Sequence, residues 1–179
     1  MVVTGVTRRI DDLGRITIPK EIRSSMRLYE GASMEFLTNG NLLCLRKQTT
    51  EEISSYGKSV GVQLSELTGF DVAVCDADKV VFAAGKKSRQ LKGCKITEAL
   101  FKLGEKLRYS RLDNYIVKPL QAVSEHPDLA VGAVPIVNNT GITYGIILLM
   151  ETDGKGSPEI ADIKAVQAAA TTLGALFNE

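Results

Sequence analysis

Residues 8–26 read RRIDDLGRITIPKEIRSSM, and the fold of the front of the chain turns on this stretch. A basic pair, Arg8-Arg9, runs through Ile10 into an acidic pair, Asp11-Asp12, and then Leu13-Gly14. Glycine reaches positive φ without steric cost, so this sequence predicts a tight turn between two short strands, Val6 to Ile10 and Arg15 to Ile18. Pro19 has no N–H to donate, so the second strand stops there. The ring's fixed φ suits the first residue of a short helix, KEIRSSMRL, with Ile22 and Met26 on one face. Lys20, Arg23 and Arg27 are then left toward solvent.

Working outward, Glu30-Gly31 turns the chain, and Met34 to Leu37 and Leu42 to Arg46 read as a hairpin around Asn39-Gly40. Asn-Gly favours the positive φ that a two-residue hairpin turn needs. The second arm, LLCL, is apolar at successive positions, which asks for burial on both faces. A unit of this size buries only about 60% of its extended surface. Burial of both faces therefore calls for a partner chain.

Charge is divided unevenly. Residues 1–50 hold eight Lys/Arg against five Asp/Glu, a net +3, and residues 51–179 hold fourteen against sixteen, a net −2. The excess positive charge sits on the small front piece, which favours an anionic partner there. No apolar run spans a bilayer and the first residues lack the apolar region of a signal peptide, so a cytoplasmic protein without a membrane partner is expected. Cys44, Cys75 and Cys94 are odd in number and lack CxxC spacing, which supports neither a disulfide framework nor a zinc site.

The run TGVTRRIDDLGRITIPKEIR resembles the N-terminal domain of the AbrB family of bacterial transition-state regulators. The family pattern is a basic pair, an acidic pair, LGR, a β-branched pair, IP and then an E-[IL]-R segment. The resemblance covers residues 1–50 and implies a swapped-hairpin β-barrel, an interleaved dimer of two chains. It also implies binding of double-stranded DNA, with Arg8, Arg9, Arg15 and Arg23 matching the family's DNA-contacting positions. Lys20 and Arg27 are secondary candidates, while Gly14 and Pro19 shape the turn and strand end. Many members carry a second arginine after the position of Arg23, and here it is Ser24, so contact strength or sequence preference is expected to differ. Guanidinium groups suit this task because each offers several donors to a phosphate or a guanine edge, and each neutralised phosphate releases counterions. Asp11 and Asp12, with no nucleophile or metal ligand beside them, read as turn formers or arginine partners.

Residues 47–52, KQTTEE, form a polar boundary, and 51–179 read as a second domain. Ile53, Tyr56, Val60, Leu64 and Leu67 recur at helical spacing, with Gly57 and Gly61 allowing another helix to approach. Phe70 to Cys75 and Val80 to Ala84 read as a hairpin, and Lys86 to Lys95 as a basic loop. Thr97 to Leu107 reads as a helix and Asn114 to Val117 as a short strand. Leu129 to Val137 and Thr143 to Met150 form a second hairpin. The last helix is expected to take Ser157 as N-cap and Pro158 as first residue, then Ile160, Ile163, Val166, Ala170, Leu173 and Phe177.

This order predicts an α+β fold, one antiparallel sheet flanked by helices, and is similar to a GAF domain. The pairing of the two domains resembles sporulation regulators of spore-forming bacteria. That resemblance implies a homotetramer, built from dimers through the first and last helices of the second domain. The similarity to a GAF domain further implies a small-molecule effector between the sheet and the segments Gly85 to Lys118 and Ser124 to Leu129. Nothing in those segments dictates a ligand, cofactor or metal. His126 reads as a surface loop residue, and Tyr109 and Tyr115 as pocket lining or seal. The whole is expected to be a transcriptional regulator without catalysis. Two alternatives come from other classes: an antitoxin built on the same front fold, and a thiol-dependent methionine sulfoxide reductase using Cys75 and Cys94.

Overall fold

The chain divides into two units, Met1–Lys47 and Gln48–Glu179. A computed structural model describes residues 5–26, 28, 34–47, 51–108, 110–124 and 126–177.

In the first unit, helix α1 (Lys20–Ser25) follows Pro19, which occupies the N-cap position. Strands β1 (Met34–Asn39) and β2 (Leu42–Lys47) pair antiparallel with Asn39 opposite Leu42. The connecting residues are thus Gly40 and Asn41, one step beyond the expected Asn39-Gly40, because it is Gly40 that takes positive φ. The two expected strands flanking Gly14 form no ladder among the described residues. Their only mutual backbone bonds close the turn, from Asp11 N to Arg15 O and from Gly14 N to Asp11 O, both 3.0 Å. A strand needs a neighbour, and the described residues of this chain supply none for these segments. The LLCL arm is not buried on both faces in one chain. Leu42 and Leu43 are exposed, and Cys44 and Leu45 are half-buried. The register places Phe36, Leu45 and Leu43 on one face of the hairpin and Leu37, Cys44 and Leu42 on the other.

The second unit is built on a five-stranded antiparallel sheet in the order β4-β3-β7-β6-β5. Its strands are β3 (Asp71–Cys75), β4 (Val80–Ala84), β5 (Ile116–Leu120), β6 (Ala130–Val137) and β7 (Thr143–Met150). The three central strands are buried almost throughout, since helices cover both faces. Fully burying a Val, Leu or Ile contributes roughly 1.5–3 kcal/mol, which makes this the unit's main stabilising block.

Helices α2 (Glu51–Thr68) and α5 (Ile160–Ala175) cover the face carrying Val74 and Leu149. The buried stripe of α2 is Ile53, Gly57, Gly61, Leu64 and Thr68. The expected stripe through Tyr56 and Leu67 is therefore rotated, and Leu67 is 74% exposed. Gly57 and Gly61 cause the rotation: lacking side chains, they lie directly against Val74 and Phe82. The close approach is to the sheet and not to another helix.

The opposite face is covered by α3 (Ser88–Leu91) and α4 (Glu98–Leu107), while a 3-10 turn (Leu112–Tyr115) packs against α5 beside β5 and β6. Lys86 to Lys95 is thus more than a loop, because Leu91 finds a fully buried seat and holds one helical turn. The expected strand Asn114 to Val117 is displaced, with the 3-10 turn ending at Tyr115 and β5 starting at Ile116. Thr97 caps α4, its Oγ1 accepting from Leu100 N at 3.2 Å. Helix α5 starts later than expected, with Glu159 as N-cap in place of Ser157. Asp162 Oδ2 accepts from Glu159 N at 2.9 Å, a bond available only from that start.

Candidate nucleic-acid interface and effector region

The Asp11–Arg15 turn is closed by one carboxylate. Asp11 Oδ1 accepts from Leu13 N at 3.0 Å and Arg15 N at 2.7 Å, and Oδ2 accepts from Arg15 Nε at 2.7 Å. Gly14, at φ 75°, completes the reversal. The Arg15 backbone N–H, followed by its guanidinium, holds the Asp11 carboxyl below the usual aspartate range. Arg15 commits one of its donors to this contact, which fixes the direction of the guanidinium while its terminal nitrogens stay outward.

Arg8 Nη1 donates to Thr7 O at 2.8 Å, and Arg23 Nη1 donates to Ile18 O at 3.1 Å, across Pro19. Pro19 is buried, so the start of α1 is anchored and Arg23 sits on its last turn. Arg8, Arg9, Arg15, Lys20 and Arg23 are all exposed. Arg27 lies outside the described residues. Arg15 and Arg23 are thus held near the turn and the strand end by their own local hydrogen bonds. Around them Ile10, Leu13 and Ile16 are exposed as well, Leu13 by 70%.

In the second unit, the two segments read as an effector region come together. Lys87 Nζ sits 2.9 Å from Asp128 Oδ1 and 3.8 Å from Asp153 Oδ1. The hydrogen bond to Asp128 raises the Lys87 pKa above its ordinary value. Ser124 N donates to Lys95 O at 2.7 Å, and Thr97 N to Ala122 O at 2.8 Å. Asp71, buried at the start of β3, accepts from Lys86 N at 2.6 Å. Sequence reasoning missed this lacing, because nothing in the spacing of Asp71, Lys87 and Asp128 marks them as neighbours.

His126 is buried, not a surface residue, since Asp128 N donates to its Nδ1 at 3.3 Å and folds the ring inward. Tyr115 is also buried, and burial pushes its hydroxyl pKa up. Tyr109 lies outside the described residues. Cys75 is fully buried in β3, and burial first, then nearby Asp76, raises its thiol pKa well above the ordinary range. Among the described residues, no group of three His, Cys, Asp or Glu could hold a metal ion. No described helix is long and apolar enough to cross a membrane.

Residues 52–176 match the family described as stage V sporulation protein T C-terminal, transcription factor. Residues 7–52 match the family described as antidote-toxin recognition MazE, bacterial antitoxin. The chain is 29% identical over 177 residues to stage V sporulation protein T of Bacillus subtilis (strain 168), covering 97% of each. It is 36% identical over 64 residues to the putative transition state regulator Abh of the same organism, covering 32% of this chain and 70% of that protein. Among solved structures it is similar to the cofactor-binding GAF domain of the nutrient sensor CodY from Clostridium difficile. The TM-score is 0.47 at 14% identity, covering 89% of this chain and 94% of that one.

Proposed function

The chain belongs to the stage V sporulation protein T C-terminal, transcription factor family, with an AbrB/MazE-type domain in front, and we propose that it regulates sporulation genes by binding double-stranded DNA as a homo-oligomer. One observation supports this reading most: the front unit presents fixed arginines on a fold that leaves its own apolar side chains uncovered. Phe36 is 64% exposed and Leu43 62%. Two copies interleaved as a swapped-hairpin barrel would bury those side chains and supply ladder partners for residues 6–10 and 15–18. The same two-fold assembly would double the set Arg8, Arg9, Arg15 and Arg23, with Lys20 and Arg27 beside it.

The second unit, GAF-like in this reading, joins dimers into a tetramer through the outer faces of α2 and α5. Tyr56, Leu67, Ile160 and Leu176 are exposed there. Its effector region, between the sheet and the laced segments at Lys87 and Asp128, senses a small molecule. No step in this function needs a nucleophile, and a buried Cys75 is ill-suited to be one.

The antitoxin alternative has one observation in its favour, the family match over residues 7–52. Against it stands the folded sheet unit that follows, where a toxin-wrapping tail would be extended. Fluorescence anisotropy on a labelled mixed-sequence duplex tests the proposal. Binding that weakens steeply with salt, and about tenfold in each of Arg15→Ala and Arg23→Ala, supports it. Unchanged affinity in both variants, with a toxin recovered by pull-down, would sink it.

A further inference from the structure

The second unit is electrically lopsided in a way the front domain does not explain. Residues 86–95, KKSRQLKGCK, hold five Lys/Arg and no Asp/Glu, although residues 51–179 as a whole carry a net −2. The fold adds a further cation. Lys79 and Lys95 face each other across an antiparallel bridge, so two like charges sit directly opposite, an arrangement that by itself destabilises. Gly93 N donates to Val80 O and Val80 N donates to Cys94 O, both at 2.9 Å, which ties this segment to the edge strand β4. Arg89 lies on α3 and Lys92 directly follows it, while Lys86 lies just beyond the other end of β4.

Lys79, Lys86, Arg89, Lys92 and Lys95 are all exposed. Lys87 alone of this group forms an ion pair among the described residues, with Asp128 and Asp153. Acids lie close by as well, Asp71 among them, which accepts from Lys86 N. Asp76 is buried, its Oδ1 accepting from Asp78 N and Lys79 N at 2.7 Å, and Asp78 is exposed. Glu98 pairs with Lys102. A solvated face ordinarily mixes signs, and edge-strand protection needs only one or two lysines. Moreover, the edge at Val80 is already covered by residues 93–94. With about 3.3 Å per strand residue, the cations frame an edge roughly 20 Å long, enough to meet several successive phosphates.

We propose that this edge is a second phosphate-contacting surface, through which the carboxy-terminal unit grips the backbone of the DNA held by the amino-terminal unit. The proposal rests on the DNA-binding reading above. Tethering explains how a weak surface contributes: DNA held by the front unit is presented to it at high effective concentration. The contact reads no bases, because flexible ammonium groups on phosphates carry charge and not sequence.

The test uses the full chain with Lys79, Arg89, Lys92 and Lys95 changed to Gln, and a long labelled mixed-sequence duplex. We expect affinity at physiological salt to fall about tenfold, and the slope of log affinity against log salt to become shallower by about one for each contact removed. Arg15→Ala separates the two readings. If it weakens binding about tenfold while the edge variant matches wild type in affinity and slope, this proposal fails and the front assignment stands. If Arg15→Ala is silent, the front assignment itself fails. Capture of phosphatidylserine vesicles that is lost in the edge variant, with its DNA slope unchanged, would give the surface to a membrane and overturn the proposal.

Discussion

The two units of this chain treat the same kind of side chain in opposite ways. In the second unit Val72, Val74, Ile147, Leu148 and Leu149 are buried within a sheet that two layers of helix enclose. In the first, Ile10, Leu13, Phe36 and Leu43 stand in solvent, although their sequences are just as strand-like. The difference is one of size and closure. A five-stranded sheet with helices on both faces completes its own core, whereas a single two-stranded hairpin is at best marginal alone. On the function proposed above, a second chain would complete the front unit, and its arginines would inherit that dependence.

The largest way to break this contrast is a charge at the front unit's uncovered apolar side chains. Phe36→Asp should cost roughly a hundredfold or more in dimerisation, because the interleaved core would have to bury an unpaired carboxylate. Sedimentation would show the loss, DNA binding would vanish with it, and the melting of the second unit would not move. Arg15→Ala and Arg23→Ala come next, each weakening DNA binding about tenfold with a shallower salt dependence and no change in oligomeric state.

How much was legible in the sequence follows the same division. The β6 and β7 runs and the Gly14 turn could be read, because a continuous apolar β-rich run and a glycine are local signals. The facing of α2 could not, because Gly57 and Gly61 decide it only once Val74 and Phe82 stand opposite. The candidate arginines could be named from the motif, and the Asp11 clamp was foreshadowed as an arginine partner. The Lys79–Lys95 juxtaposition, by contrast, needs the bridge that pairs them, although KKSRQLKGCK was visible as a charge run.

A smaller effect sharpens the contrast from the other side. Gly174 of α5 lies so close to the Val137 carbonyl oxygen that a β-carbon there would overlap it. Gly174→Ala should destabilise the second unit by about 1–3 kcal/mol despite the better helix propensity of alanine. Thermal unfolding would report it, while the front unit's hydrogen-exchange protection stays as it was.

The smallest effect concerns acid. The folded Asp11 pKa lies below its unfolded value, so the carboxylate's contribution to the turn is complete above the ordinary aspartate range. It is lost as pH falls through the lowered folded value. Carboxyl carbon shifts in NMR should titrate below the normal aspartate midpoint, and Arg15→Ala should raise the midpoint only part of the way, because the residue-15 backbone N–H still donates to the carboxylate.

Hydrogen exchange followed across a dilution series tests the central claim most directly, since it reads both units in one sample. If the front unit is completed only by a second chain, amides of residues 34–47 will lose protection as the oligomer dissociates, while those of β3 and β7 remain protected. Protection of residues 34–47 that persists in demonstrably monomeric protein would contradict the account.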